Sequence, residues 1–260
     1  TKLLANERMS FQGPILVGTG FRLNEQEFSN FALQGSSMAE VVRPYLIGRD
    51  IVQRPETRYV IDFFGLSEDQ ARSEYPALFQ HVLSTVKPLR DQGEPRPGLR
   101  AALSGLPRYV ATVETSKHKP FVFLGASVCP DHKLYAIATD DALLLGVLTS
   151  RIHGTWALAA GGRLGFGNDP TWTNSTCFLP FPFPACTEEQ KAHIRDLGEA
   201  LDAHRKRQQA LHPKLTITGM YNVLEKLRSG EPLDAKDREI HEPGLVSLLR
   251  QIHDDLDAAV

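Results

Sequence analysis

The chain has 260 residues, 42% of them apolar and 23% charged, with a formal net charge of −2. That is enough to bury one large or two modest cores, and the near-neutral charge argues against a non-specific nucleic-acid binder, which would carry excess Lys and Arg. No run of about 18 apolar residues appears and the start, TKLLANERMS, lacks the apolar centre of a secretory signal, so a cytoplasmic protein with no membrane partner is expected.

Charge is uneven along the chain. Residues 87–184 carry 10 basic and 7 acidic side chains, a net +3, whereas residues 1–86 and 185–260 are net acidic at −2 and −3. A local positive face on an otherwise acidic, soluble body fits that distribution.

In chain order, residues 41–50 (VVRPYLIGRD) hold a proline and a glycine and read as a loop between short strands. RYVIDFFGL, residues 58–66, reads as a buried strand. Ser67 followed by Gln70 forms a capping box for a helix on which Tyr75, Leu78, Phe79, Val82 and Val86 recur at helical spacing, closed by Pro88. DQGEPRPG, residues 91–98, reads as a turn or linker.

RYVATVETS and FVFLGASV are rich in β-branched and aromatic residues and flank the basic turn Lys117, His118, Lys119 and Pro120, a strand pair with charge projecting from its tip. KLYAIAT supplies a third strand. Asp140 or Asp141 then caps a helix with Leu144, Leu148, Ile152 and Trp156 on one stripe, and Gly161 and Gly162 end it in the left-handed conformation. Residues 163–174 read as an exposed polar loop, and FLPFPFP as an extended strut in which Phe181 and Phe183 pack without joining a sheet. Thr187 and Gln190 cap a helix to Leu211, ended by Pro213, with further helices over residues 221–227 and 245–256 folding back on it.

Catalytic chemistry is hard to find. There is no strand-to-helix glycine turn for S-adenosylmethionine and no Asn-Pro-Pro-Tyr motif; Asn168, Asp169 and Pro170 lack its second proline and aromatic. No lysine-bearing phosphate loop or nucleophile elbow occurs. Ser150, His153 and Asp140 could be drawn as a triad, but a surface serine and a partly buried histidine is the better account. Cys129, Cys177 and Cys186 match neither a zinc nor a redox spacing, and no metal site, catalytic residue or cofactor-binding residue is expected.

The order and spacing of the Arg-Tyr strand, the Ser-Lys-His turn, the Ser-Arg-Ile-His helix ending in Trp, and the Cys-Phe then Phe-Pro-Phe-Pro exit resemble the target-recognition domain of MmeI-type restriction-modification methyltransferases. The resemblance implies an α+β fold, a mixed sheet with flanking helices followed by a C-terminal helical hairpin or small bundle. It divides the chain into a DNA target-recognition domain at 1–184 and a helical domain at 185–260. Both ends read as cut from a longer chain.

It further implies double-stranded DNA as partner, read in the window 163–173, with methyl transfer to an adenine amino group performed elsewhere in a parent using S-adenosylmethionine. The candidate DNA-binding residues are Lys117, His118, Lys119, Arg151, Arg163, Asn168, Asp169, Thr171, Trp172 and Asn174. Asn suits adenine, Asp the cytosine amino group and Arg guanine, while the basic turn suits phosphate and Trp172 could stack. Arg43 and Arg49 are weaker candidates. A rival reading makes the helical region a protein-interaction scaffold acting through its seam and an exposed basic cluster at 205–207.

Overall fold

The computed structural model describes residues 2–16, 19–32, 38–86, 98–164 and 169–260. Residues 91–97 of the expected 91–98 linker, Pro88 and Asn168 lie outside them, and Gly98 begins a helix. Among the described residues the α+β frame holds two four-stranded sheets. The central one joins β1 (Ser10–Gln12), β5 (Arg108–Val113), β6 (Phe121–Gly125) and β8 (Leu134–Ile137) in the order β1-β8-β5-β6, antiparallel throughout. The second joins β2 (Arg22–Leu23), β3 (Val42–Leu46), β4 (Tyr59–Ile61) and β7 (Cys129–Pro130) in the order β2-β4-β3-β7, and is mixed because β3 and β7 run parallel. Tyr45 on β3 ties the sheets together, its buried hydroxyl donating to Asp131 Oδ2 at 2.5 Å.

The residues read as a loop at 41–50 are therefore β3 and a short helix, α2 (Gly48–Val52), after α1 (Glu25–Ala32). Pro44 is tolerated in β3 for a geometric reason. Tyr45 donates to Arg58 O and Asp62 donates to Val41 O, so odd positions bond β4 and the missing amide of Pro44 points the other way. Pairing with β7 begins only at Tyr45.

Ser67 and Gln70 do form a capping box, but the helix divides into α3 (Glu68–Glu74) and α4 (Pro76–Thr85). Pro76 disfavours the helical region at Tyr75, whose ψ is 55°, and itself starts the next helix. α5 (Gly98–Leu103) then leads into β5.

Strand alternation gives the central sheet two buried faces. Tyr109, Ala111, Val113, Val122, Leu134 and Ala136 pack with Ile194, Leu201, Met220, Val223, Leu249 and Leu256 of the C-terminal helices. Val110, Phe121, Phe123, Tyr135 and Ile137 pack on the other side with Leu145, Leu148, Trp172, Cys177 and Phe178. One core thus runs across residue 184. Phe181, 2% exposed, and Phe183 meet edge to face at 5.0 Å in the extended exit segment.

The single helix expected after Asp141 is broken into α6 (Ala142–Thr149) and α7 (Arg151–Ala160). Ser150 is extended and caps α7 through its hydroxyl, so it is buried at 1% exposure and is not a surface serine; His153 is equally buried. The break rotates Ile152 off the stripe to 55% exposure.

α8 (Glu188–Leu211) starts at the Thr187–Gln190 capping box as read. It lies close on α6, where a Cβ at Gly198 would come within 2.5 Å of Ala142 O. α11 (Val246–Ala259) folds back over it, and α9 (Ile217–Ser229) packs against α11. α10 (Ala235–Gly244) was not foreseen; Asp234 and Asp237 cap it, and Pro243 inside it disguises the helical pattern. Among the described residues no helix is long and apolar enough to cross a membrane.

Candidate nucleic-acid interface

The window after α7 is not one exposed loop. It rises into a two-strand ladder, β9 (Arg163–Leu164) against β10 (Asp169–Pro170), with Leu164 opposite Asp169 and Arg163 opposite Pro170. It then dives into the core. Arg163, Leu164 and Asp169 are exposed, whereas Thr171 is 7% and Trp172 0% exposed.

The base of the ladder is tightly specified. Gly161 is extended, φ −73°, so it does not end α7 in the left-handed conformation; a Cβ there would lie 2.4 Å from Thr171 O, and close approach is what demands glycine. Thr171 N donates to Gly162 O and Trp172 N to Glu114 O, both at 2.8 Å, and Thr171 bridges Thr115 beyond β5. The Trp172 indole meets Phe121, Tyr135 and Phe178 edge to face at 5.3–6.2 Å. Its N–H lies 3.5 Å from His153 Nε2. Burial holds His153 down to about 4, so the ring is neutral and can accept. Trp172 is consequently a core anchor and cannot stack on a base in this arrangement. Asn174 opens a π-helical turn (Asn174–Phe178), half-buried, donating to Ser10 O at 2.9 Å.

The basic turn leans on the C-terminal helices and does not project freely. Lys117 Nζ lies 2.5 Å from Glu225 Oε2, with both side chains more than half exposed. His118 Nε2 sits 2.7 Å from Asn222 Oδ1, and burial lowers its pKa, which leaves it neutral at pH 7. Lys119 turns inward, donating to Ser116 O at 2.6 Å and to Pro170 O. Arg151, 69% exposed, pairs with Asp257 at 3.1 Å on α11, and Asp257 also receives Arg228. Arg43 pairs with Asp62 and Arg49 with Glu56.

The structure therefore brings the 117–119 turn and residues 169–171 side by side, with 163–164 paired to 169–170, and places Arg151 apart on the α11 side. It separates their exposures: Lys117, Arg151, Arg163 and Asp169 face solvent, while Lys119, Thr171, Trp172 and Asn174 serve the scaffold. Sequence reading missed Leu164, 48% exposed beside Asp169, and the carboxylates Glu225 and Asp257. Only the apolar character of Leu164 within a polar window could have flagged it; nothing local marks residues about a hundred positions away. Of the basic cluster at 205–207, Lys206 and Arg207 are exposed and Arg205 is not. Arg205 is 1% exposed, donating to Tyr221 Oη at 3.0 Å and Phe121 O at 2.7 Å, and Lys206 is engaged with Asp202 and Phe123 O.

Among the described residues no three His, Cys, Asp or Glu side chains gather closely enough to hold a metal. What the architecture provides is a short ladder with polar and apolar side chains outward, joined at its base to the packed central sheet. The family model for "MmeI, target recognition domain" matches residues 2–185, and the chain belongs to that family. DNA methyltransferase A of Bacillus subtilis (strain 168) is 33% identical over 84 residues, which is 32% of this chain and 9% of that protein. A solved structure of the Type IIL restriction-modification enzyme MmeI in complex with DNA superposes with a TM-score of 0.67 at 18% identity, covering 97% of this chain and 33% of that one. The likeness extends through the C-terminal helices, and the chain spans about a third of that solved structure.

Proposed function

We propose that the chain reads the DNA target of a restriction-modification protein whose adenine-methylating activity, supplied with S-adenosylmethionine, resides in another domain of a longer parent. The observation that carries this reading is the β9–β10 ladder: Arg163, Leu164 and Asp169 stand outward on a base fixed by Trp172, Gly161 and the Thr115–Thr171 bridge. Discrimination between bases needs side chains held in one geometry, and a ladder rooted in a packed core holds them.

In the major groove Asp169 would accept from a cytosine amino group, Arg163 would donate to guanine, and Leu164 would touch a thymine methyl. Lys117 beside the ladder, and Arg151 farther off on the α11 side, would meet phosphates, setting register without reading sequence. Lys119, Thr171, Trp172 and Asn174 would act from behind. The catalytic domain would extrude the chosen adenine and methylate it, a step to which this chain contributes only position. In this reading the recognition domain ends near residue 184, and the helices of 185–260 brace it through the shared core.

The scaffold alternative loses its main support with Arg205 buried. The test is selection from random-sequence duplexes. Wild type should enrich one site, Asp169→Asn should alter the preferred base at one position, and Lys117→Met should weaken all sequences alike. Enrichment of the same site by Asp169→Asn, with equal losses on every duplex, would reduce the ladder to a backbone contact.

A further inference from the structure

The geometry points to Lys119 as a positioning residue for sequence reading: its half-buried amino group fastens the β5–β6 turn to β10 and so sets where the ladder stands. This rests on the reading of the ladder as the base-contacting element.

Lys119 occupies an unusual place. Its φ is +45°, a left-handed conformation costly for a side chain with a Cβ, and one that turns the stem away from solvent. The amino group ends among main-chain carbonyls: Ser116 O at 2.6 Å within its own turn, Glu114 O at 3.5 Å at the end of β5, and Pro170 O on β10. Ser116 and Glu114 belong to one hairpin and Pro170 to the other, so a single group spans both. Pro170 pairs with Arg163 and follows Asp169, which places the fastening one residue from the outward-facing side chains.

Among the described residues no carboxylate pairs with the charge directly. Glu114, just beyond β5, is engaged by Lys133 at 2.7 Å, and Asp169 is exposed. Burial depresses the Lys119 pKa to about 8 against the weaker opposing pull of Cys177, Asp169 and Glu114. The folded state therefore binds fewer protons than the unfolded state between about pH 8 and the ordinary lysine value of 10.5, and stability rises with pH across that window. A charge held at a cost to stability, where an apolar side chain would fill the same space, serves geometry. Since its amino group is occupied by carbonyls, Lys119 is unavailable to a phosphate, and Lys117 is the contact on this turn.

The test compares Lys119→Met and Lys119→Arg with wild type in two readouts. In the free chain, hydrogen exchange at the Thr171 and Trp172 amides should accelerate at least tenfold in Lys119→Met with no fall in thermal midpoint, and Lys119→Arg should restore part of the protection. With duplex, Lys119→Met should select a degenerate site while keeping the wild-type salt dependence. Unchanged exchange, or a midpoint that falls in step with faster exchange everywhere, overturns the positioning role in favour of plain turn stability. A salt slope reduced by about one with site preference intact makes Lys119 a phosphate ligand instead. If wild type selects no site, the DNA-reading proposal fails while the exchange experiment still decides the fastening.

Discussion

Glu225→Gln should make the protein bind DNA more tightly, and the size of the gain follows from one ion pair. Lys117 and Glu225 are 2.5 Å apart, with 61% and 58% of their side chains exposed. An exposed pair of this kind contributes at most about 1 kcal/mol, so its removal leaves the fold intact. A phosphate approaching Lys117 must displace that carboxylate, and freeing the lysine should tighten binding by up to about fivefold at low salt. The affinity should also become more salt-dependent, by up to about 0.9 in the log–log slope, equivalent to roughly 3.5-fold more loss between 50 and 200 mM salt. Fluorescence anisotropy with one duplex across a salt series measures both. In a Lys117→Met background the Glu225→Gln change should gain nothing. Equal tightening with and without Lys117 would mean that the effect is one of net charge, and the local argument would be wrong.

Other expectations follow from the scaffold. Trp172→Ala should cost about 3–5 kcal/mol in denaturant unfolding, because a fully buried indole is removed from the second face of the sheet; a loss of DNA binding with stability unchanged would return Trp172 to the interface. Acid should destabilise the protein before its carboxylates titrate. The folded-state pKa of His153 lies near 4 against an ordinary 6.5, so the unfolded state binds the extra proton and stability falls as pH drops through that interval, by about 3 kcal/mol. His253, lowered to about 3 by burial, acts in the same direction. Unfolding free energies that stay flat from pH 6.5 to 4.5 would refute this.

Where the signal is local, sequence and structure agree. Both capping boxes, Ser67–Gln70 and Thr187–Gln190, start helices where they were read, because a cap is settled by residues three apart. β5, β6 and β8 likewise follow from their β-branched and aromatic content. The misreadings share a cause, a residue whose local preference is overruled by its neighbours in space. Pro44 sits in a strand because its missing amide faces an unpaired stretch, and Ser150 interrupts an apolar helical run because its hydroxyl caps the next helix.

The site was legible in outline and misleading in detail. The exposure of Arg163 and Asp169 after α7 could be read from polarity. That Lys119 binds Pro170 O and that Glu225 and Asp257 hold Lys117 and Arg151 depend on contacts 51 to 108 residues apart in the chain, and Trp172 turns inward onto Phe121 and Tyr135 of other strands. No local pattern encodes these.

Hydrogen exchange of the 260-residue chain with and without its selected duplex tests the central claim most directly. Slowed exchange at residues 163–164 and 169–171, together with the 117–119 turn, is the result the account predicts. Protection confined to residues 194–211 of α8, with the ladder exchanging at its free rate, would contradict it.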